Sequence, residues 1–414
     1  MANELSALAE AAGEAVDRLA ITPAQSLHAA VARRVFANVG VGAAPSRAVH
    51  DGISGALYSA LRIATVRGST VAAAAIRRAG GDADVRPVSR SRRGRLAISV
   101  ANAFIGDRLE ERNSDLAIPM AVRRHGADVA CTAGALRRAF PRPTPRVAVF
   151  LHGLMESEEW WRRGTDRHSG RDRRPFGVRL RADLDLTPVD IRYNTGLHVS
   201  ENGRRLADLL ESLIEAWPVG LDDVVLIGHS VGGLVARSAC HQALSSGCTW
   251  PSRVRHLVTL GTPHTGAPLE KAVHATAWAL RALPESRAFA DILDSRSAGI
   301  RDLRHGYLRD DDWRGEDPAA LFDDRRGEVP MLPGCTHTFL TATITRDPSQ
   351  PLGWLVGDLM VRTESAGGRC RERSIPVPPE SVVHVGGLTH FDLLDHPLVY
   401  SRMRDALARS FPKG

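Results

Sequence analysis

From Arg146 onward, short apolar runs alternate with longer amphipathic stretches. Val147–Leu151, Val189–Tyr193, Val224–Ile227, His256–Leu260, Phe339–Ile344 and Val382–Val385 are each four to six residues long, and this length and composition predict buried strands. Between two of them, NGRRLADLLESLIEAW places Leu206, Leu209, Leu210 and Leu213 on one helical face. Strands alternating with helices imply parallel crossovers, so the pattern predicts an α/β fold with a mostly parallel sheet covered by helices on both faces. Just upstream, LAIPMAVRRHGADVACT reads as two further short strands around a His125-Gly126 turn.

Two regions depart from that rhythm. Residues 1 to about 80 are Ala-rich and helical, and Ile53, Leu57, Leu61 and Ala64 line one face. That face lacks the Trp and Phe that anchor interfacial helices, so packing against a neighbouring domain is expected of it. Arg77–Arg95 then carries seven arginines among Gly, Pro and Ser and reads as an exposed linker. The expected division is residues 1–105, a helical N-terminal region with a basic linker, and residues 106–414, the α/β domain. Within the latter, 266–333 shows no strand pattern, and an insertion of that length is expected to be a cap or lid over a site.

Composition narrows the class. A 43% hydrophobic and 24% charged chain is ordinary for a globular protein. The +7 formal charge comes from arginine, with no base-reading motif beside it. No nucleic-acid partner is expected, although weak peripheral contact with an anionic membrane is compatible with the charge. The first twenty residues lack the apolar core of a secretory signal, and no run is long enough to span a bilayer. Cys131, Cys240, Cys248, Cys335 and Cys370 are scattered without Cys-x-x-Cys spacing, so neither a zinc site nor a disulfide framework is expected. A reduced, cytoplasmic protein follows as the expectation.

The chemistry concentrates in VVLIGHSVGGLVARSAC, Val224–Cys240, where an apolar strand passes into a helix through Gly228-His229-Ser230-Val231-Gly232. A Gly-x-Ser-x-Gly turn this tight pushes the serine side chain out of the end of a sheet. A serine nucleophile needs a base, and the base needs an acid to orient it. His390 follows the strand Val382–Val385 and two glycines, on a loop before a helix, and is the best-placed base; His384 and His396 read as structural. Asp358, between Gly357 and an apolar Leu-Met-Val, is favoured as the acid over Asp347 in an exposed Asp-Pro turn and over Glu364. The oxyanion donors expected are the backbone N–H groups of Val231, after the serine, and Leu154, after His152-Gly153.

FLHGL, RYNTGLHVSENGRRLADLL, GHSVGG, LVTLGTPHTGAP, GDLMVRTESA and GGLTHFDLLDHP occur in this order. Together they resemble the bacterial serine lipase and esterase branch of the α/β-hydrolase superfamily, including domains similar to inositol deacylases. The likeness runs from about Leu116 to the C-terminus. It implies a Ser230–Asp358–His390 triad, oxyanion donation by Leu154 and Val231, a small-molecule or lipid ester as substrate, and no cofactor or metal. A cap as charged as 266–333 departs from a lipase lid. An acyltransferase of the same fold and a noncatalytic binding protein are the competing functions.

Overall fold

The computed structural model describes residues 2–17, 21–39, 44–79, 87–162, 174–267, 296–315, 326–346, 357–369 and 374–411. The chain forms two compact units, the first chiefly Met1–Ile98 with Arg108–Ala117, the second Ser99–Asp107, Ile118–Lys271 and Ser297–Gly414.

The first unit is helical. Helices α1 (Ala2–Val16), α2 (Thr22–Val39) and α3 (Ala44–Ala79) precede α4 (Arg92–Glu111), whose Ile105 leaves helical geometry and marks a kink. Gly13 allows α1 and α3 to approach closely, since a β-carbon there would lie 2.2 Å from Ser69 Oγ. Ile53, Leu57 and Leu61 are 66%, 64% and 49% exposed, and Val49 one turn earlier is 62% exposed. Within its own unit this stripe is therefore left exposed. Its spacing is helical, but the face of α3 that packs is another one, carrying the fully buried Ala73.

In the second unit an eight-stranded sheet has the order β2-β1-β4-β3-β5-β6-β7-β8. The strands are β1 (Ala121–Arg124), β2 (Ala127–Val129), β3 (Arg146–Leu151), β4 (Thr187–Arg192), β5 (Asp223–His229), β6 (Val254–Leu260), β7 (Thr336–Thr343) and β8 (Val382–Gly386). Strands β3 to β8 are parallel, and β1 joins the edge antiparallel to both β2 and β4. Successive residues point to opposite faces. Val147, Val149 and Leu151 of β3 thus meet Leu206, Leu210 and Leu213 of α7 (Val199–Glu215) and Leu234 and Val235 of α8 (Val231–Ser245). Ala148 and Phe150 face the other way, onto Phe176 and Leu180 of α6 (Phe176–Leu184) and Val399, Tyr400 and Met403 of α9 (Pro397–Ser410); a short helix, α5 (Ala133–Ala139), follows the β1–β2 hairpin. Helices on both faces of a mostly parallel sheet are the predicted architecture.

Most of the expected cap, and Asp347 and Cys370, lie outside the described residues. The described part around 297–315 serves the N-terminus of α7. Asp302 accepts from Val199 N–H at 2.7 Å and pairs with His198 Nδ1 at 2.9 Å, and Trp313 stacks on the His198 ring. Among the described residues no helix is long and apolar enough to cross a membrane.

Candidate active site

Ser230 sits between β5 and α8 with φ 52° and ψ −125°. A positive φ is costly for a residue with a β-carbon, so neighbours must hold it. Ser230 N–H donates to Leu260 O at 2.8 Å, and Thr262 Oγ1 donates to Ser230 O at 2.9 Å. The turn also requires its glycines: a β-carbon at Gly228 would lie 2.4 Å from Gly233 N, and one at Gly232 would lie 2.5 Å from Leu151 O. Gly232 thereby presses the start of α8 against the end of β3.

His390 lies just beyond β8 and is buried. Its Nδ1 is 2.8 Å from Asp358 Oδ2, and its backbone N–H donates to Asp358 O at 2.9 Å. The second carboxylate oxygen, Oδ1, accepts from Met360 N–H at 3.0 Å and Val361 N–H at 2.8 Å. Asp358 is 1% exposed, so its loop presents an ordered acceptor to the imidazole. In the neutral imidazole, an Nδ1–H that donates to this carboxylate leaves the lone pair on Nε2. Glu364, the other described candidate acid, is exposed on the short helix Thr363–Ala366.

Ser230 and His390 are both held against the end of β6. Leu260 O receives the Ser230 N–H, and the next residue, Gly261, has φ 58°. A β-carbon on Gly261 would stand 3.0 Å from both Cε1 and Nδ1 of His390. The imidazole therefore lies against a glycine that the sequence reading passed over, although GTPH after an apolar strand was there to be noticed.

Val231 N–H belongs to the first helical residue of α8, where the backbone donor has no intrahelical partner. Leu154 lies in a turn closed by Glu156 N–H donating to Gly153 O at 3.2 Å, with Met155 at φ 62°. Gly153 N–H is occupied by Glu156 Oε2 at 2.6 Å. Neither Leu154 N–H nor Val231 N–H has a hydrogen-bond partner among the described residues. His152 organises this loop: Nδ1 donates to Gly153 O at 3.0 Å, Nε2 accepts Tyr193 N–H at 3.3 Å, and the rings stack. Burial pushes the His152 pKa down, in keeping with a neutral imidazole. His384 is bonded between Thr341 and Thr343, and the His396 side chain accepts from Leu398 N–H at the N-terminus of α9.

Residues 197–318 match the PGAP1-like alpha/beta domain, and that stretch of the chain is thus similar to it. Among solved structures, the chain is similar to a lipase of Bacillus licheniformis, BlEst2 in its mature form, at 18% identity, covering 64% of this chain and 94% of that one with a TM-score of 0.39. An esterase of Pyrobaculum calidifontis is 16% identical over 65% of this chain and 78% of its own, TM-score 0.37. A lipase-esterase related protein of Clostridium acetobutylicum is 14% identical over 65% and 95%, TM-score 0.32. No curated protein matches the sequence significantly. Sequence reasoning also missed Glu156 and His229, which border the site; His229 was visible only as the variable position of the Gly-x-Ser-x-Gly motif.

Proposed function

We propose that the protein is a serine hydrolase of carboxylic esters, acting on a small-molecule or lipid ester through an acyl-serine intermediate. The observation that carries this reading is the buried His390–Asp358 pair at 2.8 Å, together with a serine held at positive φ in the turn after β5. His390 Nε2 takes the proton of Ser230 Oγ as that oxygen bonds to the ester carbonyl carbon. The carbonyl oxygen becomes an oxyanion that accepts from Leu154 N–H and Val231 N–H. As the tetrahedral centre collapses, the C–O bond to the alcohol breaks and His390 returns the proton to the departing alkoxide. Water then attacks the acyl-serine, giving its proton to His390, and release of the carboxylic acid restores Ser230. Asp358 keeps the imidazole oriented and stabilises its charged form throughout.

A series of p-nitrophenyl esters of increasing chain length should be hydrolysed by the full-length protein and not by Ser230→Ala. A fluorophosphonate should label Ser230. Labelling of a different serine, or full hydrolysis by Ser230→Ala, would refute the reading.

A further inference from the structure

Directly behind the site lies a buried ionisable pair with no part in the proton transfers above. Glu156 is 3% exposed and His229 fully buried. Oε2 of Glu156 receives two donors, Gly153 N–H at 2.6 Å and His229 Nδ1 at 3.1 Å. On the other side of the ring, His229 Nε2 is 3.2 Å from His390 O. A β-carbon on Gly153 would lie 2.9 Å from both Glu156 Oε2 and His229 Nδ1, so the three groups converge as tightly as a glycine permits.

We propose that Glu156 and His229 form a positioning pair that fixes the oxyanion turn and the His390 loop relative to the nucleophile elbow. The inference rests on the triad reading above. His229 immediately precedes Ser230, its Nδ1 reaches the turn through Glu156, and its Nε2 reaches the base loop through a backbone carbonyl. One imidazole thereby links the three loops that carry the nucleophile, the base and an oxyanion donor.

The hydrogen bonds fit an ion pair. A carbonyl oxygen only accepts, so Nε2 donates to His390 O; with Glu156 ionised, Nδ1 donates to its carboxylate as well, and His229 is an imidazolium. Burial alone would push Glu156 up and His229 down, but their mutual attraction and hydrogen bond outweigh it, leaving Glu156 lowered and His229 raised. The other groups facing His229 are the His390 ring, 4.6 Å between centroids, the Asp358 charge beyond it, and the Trp161 edge at 6.4 Å. His152 faces Glu156 from the turn side. A buried ion pair is a costly way to fill a core that apolar residues would fill equally well. What it adds here is directional contact with two loops.

The test uses the full-length protein. Because both donors converge on one oxygen, Glu156→Gln cannot reproduce the arrangement: an amide oxygen there leaves His229 a single ring proton, and an amide nitrogen opposes Gly153 N–H. Glu156→Gln and His229→Gln should each lower kcat roughly 10- to 100-fold with KM changed less than about twofold, the signature of a displaced transition-state donor. The double variant should lose about as much as either single one. Independently of turnover, histidine-¹⁵N NMR of Ser230→Ala at about pH 7.5 should show one imidazole with both nitrogens protonated, where an ordinary histidine of pKa about 6.5 is mostly neutral. That signature should vanish in Ser230→Ala/Glu156→Gln. Its absence from the Ser230→Ala protein, or an unchanged kcat in folded Glu156→Gln, overturns the proposal; if Glu156→Gln does not fold, His229→Gln carries the same comparison. Retained hydrolysis by Ser230→Ala would overturn the triad reading instead, and the NMR signature would still report on the pair.

Discussion

At the scale of single residues, the site depends on groups whose neighbours leave them one arrangement. Asp358 uses one oxygen for His390 and the other for two backbone N–H groups. Asp358→Asn presents an amide that cannot accept at every one of these contacts, so ester hydrolysis should fall by roughly three to four orders of magnitude in a protein that still folds. Combining it with Ser230→Ala should add almost nothing, because the triad acts as a unit; additive losses in steady-state kinetics would contradict this. The Glu156–His229 pair makes a separate prediction about stability. A lowered carboxylate pKa contributes stability that is complete above the ordinary value of 4.5 and lost as pH falls through the lowered one. A raised histidine pKa contributes stability that is complete below 6.5 and lost as pH rises through the raised one. The difference in thermal midpoint between the parent and Glu156→Gln should therefore be largest between pH 4.5 and 6.5 and shrink on both sides. A pH-independent difference would show that the pair carries no charge.

At the scale of elements, junctions matter more than interiors. The six apolar runs were legible as strands because a strand buried on both faces has few polar positions. The elbow was legible because its glycines are demanded locally, by contacts within a few residues. What could not be read were contacts made across the chain. Gly261 is needed by His390, far along the sequence, and Glu156 by His229, so no periodicity marks either. The α3 stripe is the converse case: Ile53, Leu57 and Leu61 repeat as a buried face would and are exposed within their own unit. Periodicity identifies a helix face and not what covers it. The β3–α8 junction offers a test at this scale. Gly232→Ala would bring a β-carbon to 2.5 Å from Leu151 O and 2.8 Å from His152 O, both backbone atoms with little room to move. A loss of about 1–3 kcal/mol in denaturant unfolding is expected, as for other overpacked sites. Hydrolysis should fall beyond what partial unfolding explains, because the displaced atoms belong to the strand that carries the oxyanion turn. Full activity in the folded variant would show that this junction is not held tightly.

Over the whole molecule, the charge is unevenly distributed along the chain. Residues 1–98 hold thirteen arginines against seven acidic residues, nearly the entire excess of +7. Arg90, Arg92 and Arg93 are exposed, whereas Arg95 is folded back onto Ser89 O and Arg90 O. In the same unit, α3 leaves Val49, Ile53, Leu57 and Leu61 uncovered. Exposed arginines and an apolar stripe are the features an anionic bilayer would attract, and weak peripheral contact with such a bilayer is proposed. Each basic residue near such a surface contributes on the order of 1 kcal/mol. Three of them correspond to roughly a hundredfold in partitioning, since about 1.4 kcal/mol is tenfold. The attraction decays over a Debye length of about 10 Å at 0.1 M salt and about 3 Å at 1 M. Vesicle sedimentation of the full-length protein is therefore expected to show binding to phosphatidylserine-containing liposomes and none to purely zwitterionic ones. High salt should release it, and Arg→Gln changes at Arg90, Arg92 and Arg93 should weaken it, while Arg95→Gln, at a side chain already engaged with backbone carbonyls, should weaken it less. Ile53→Ser with Leu57→Ser separates the two contributions: binding should drop at every salt concentration while its salt dependence persists. Equal binding to zwitterionic vesicles would assign the surface to the apolar stripe alone, and no binding to either kind at low salt would remove the membrane as a partner.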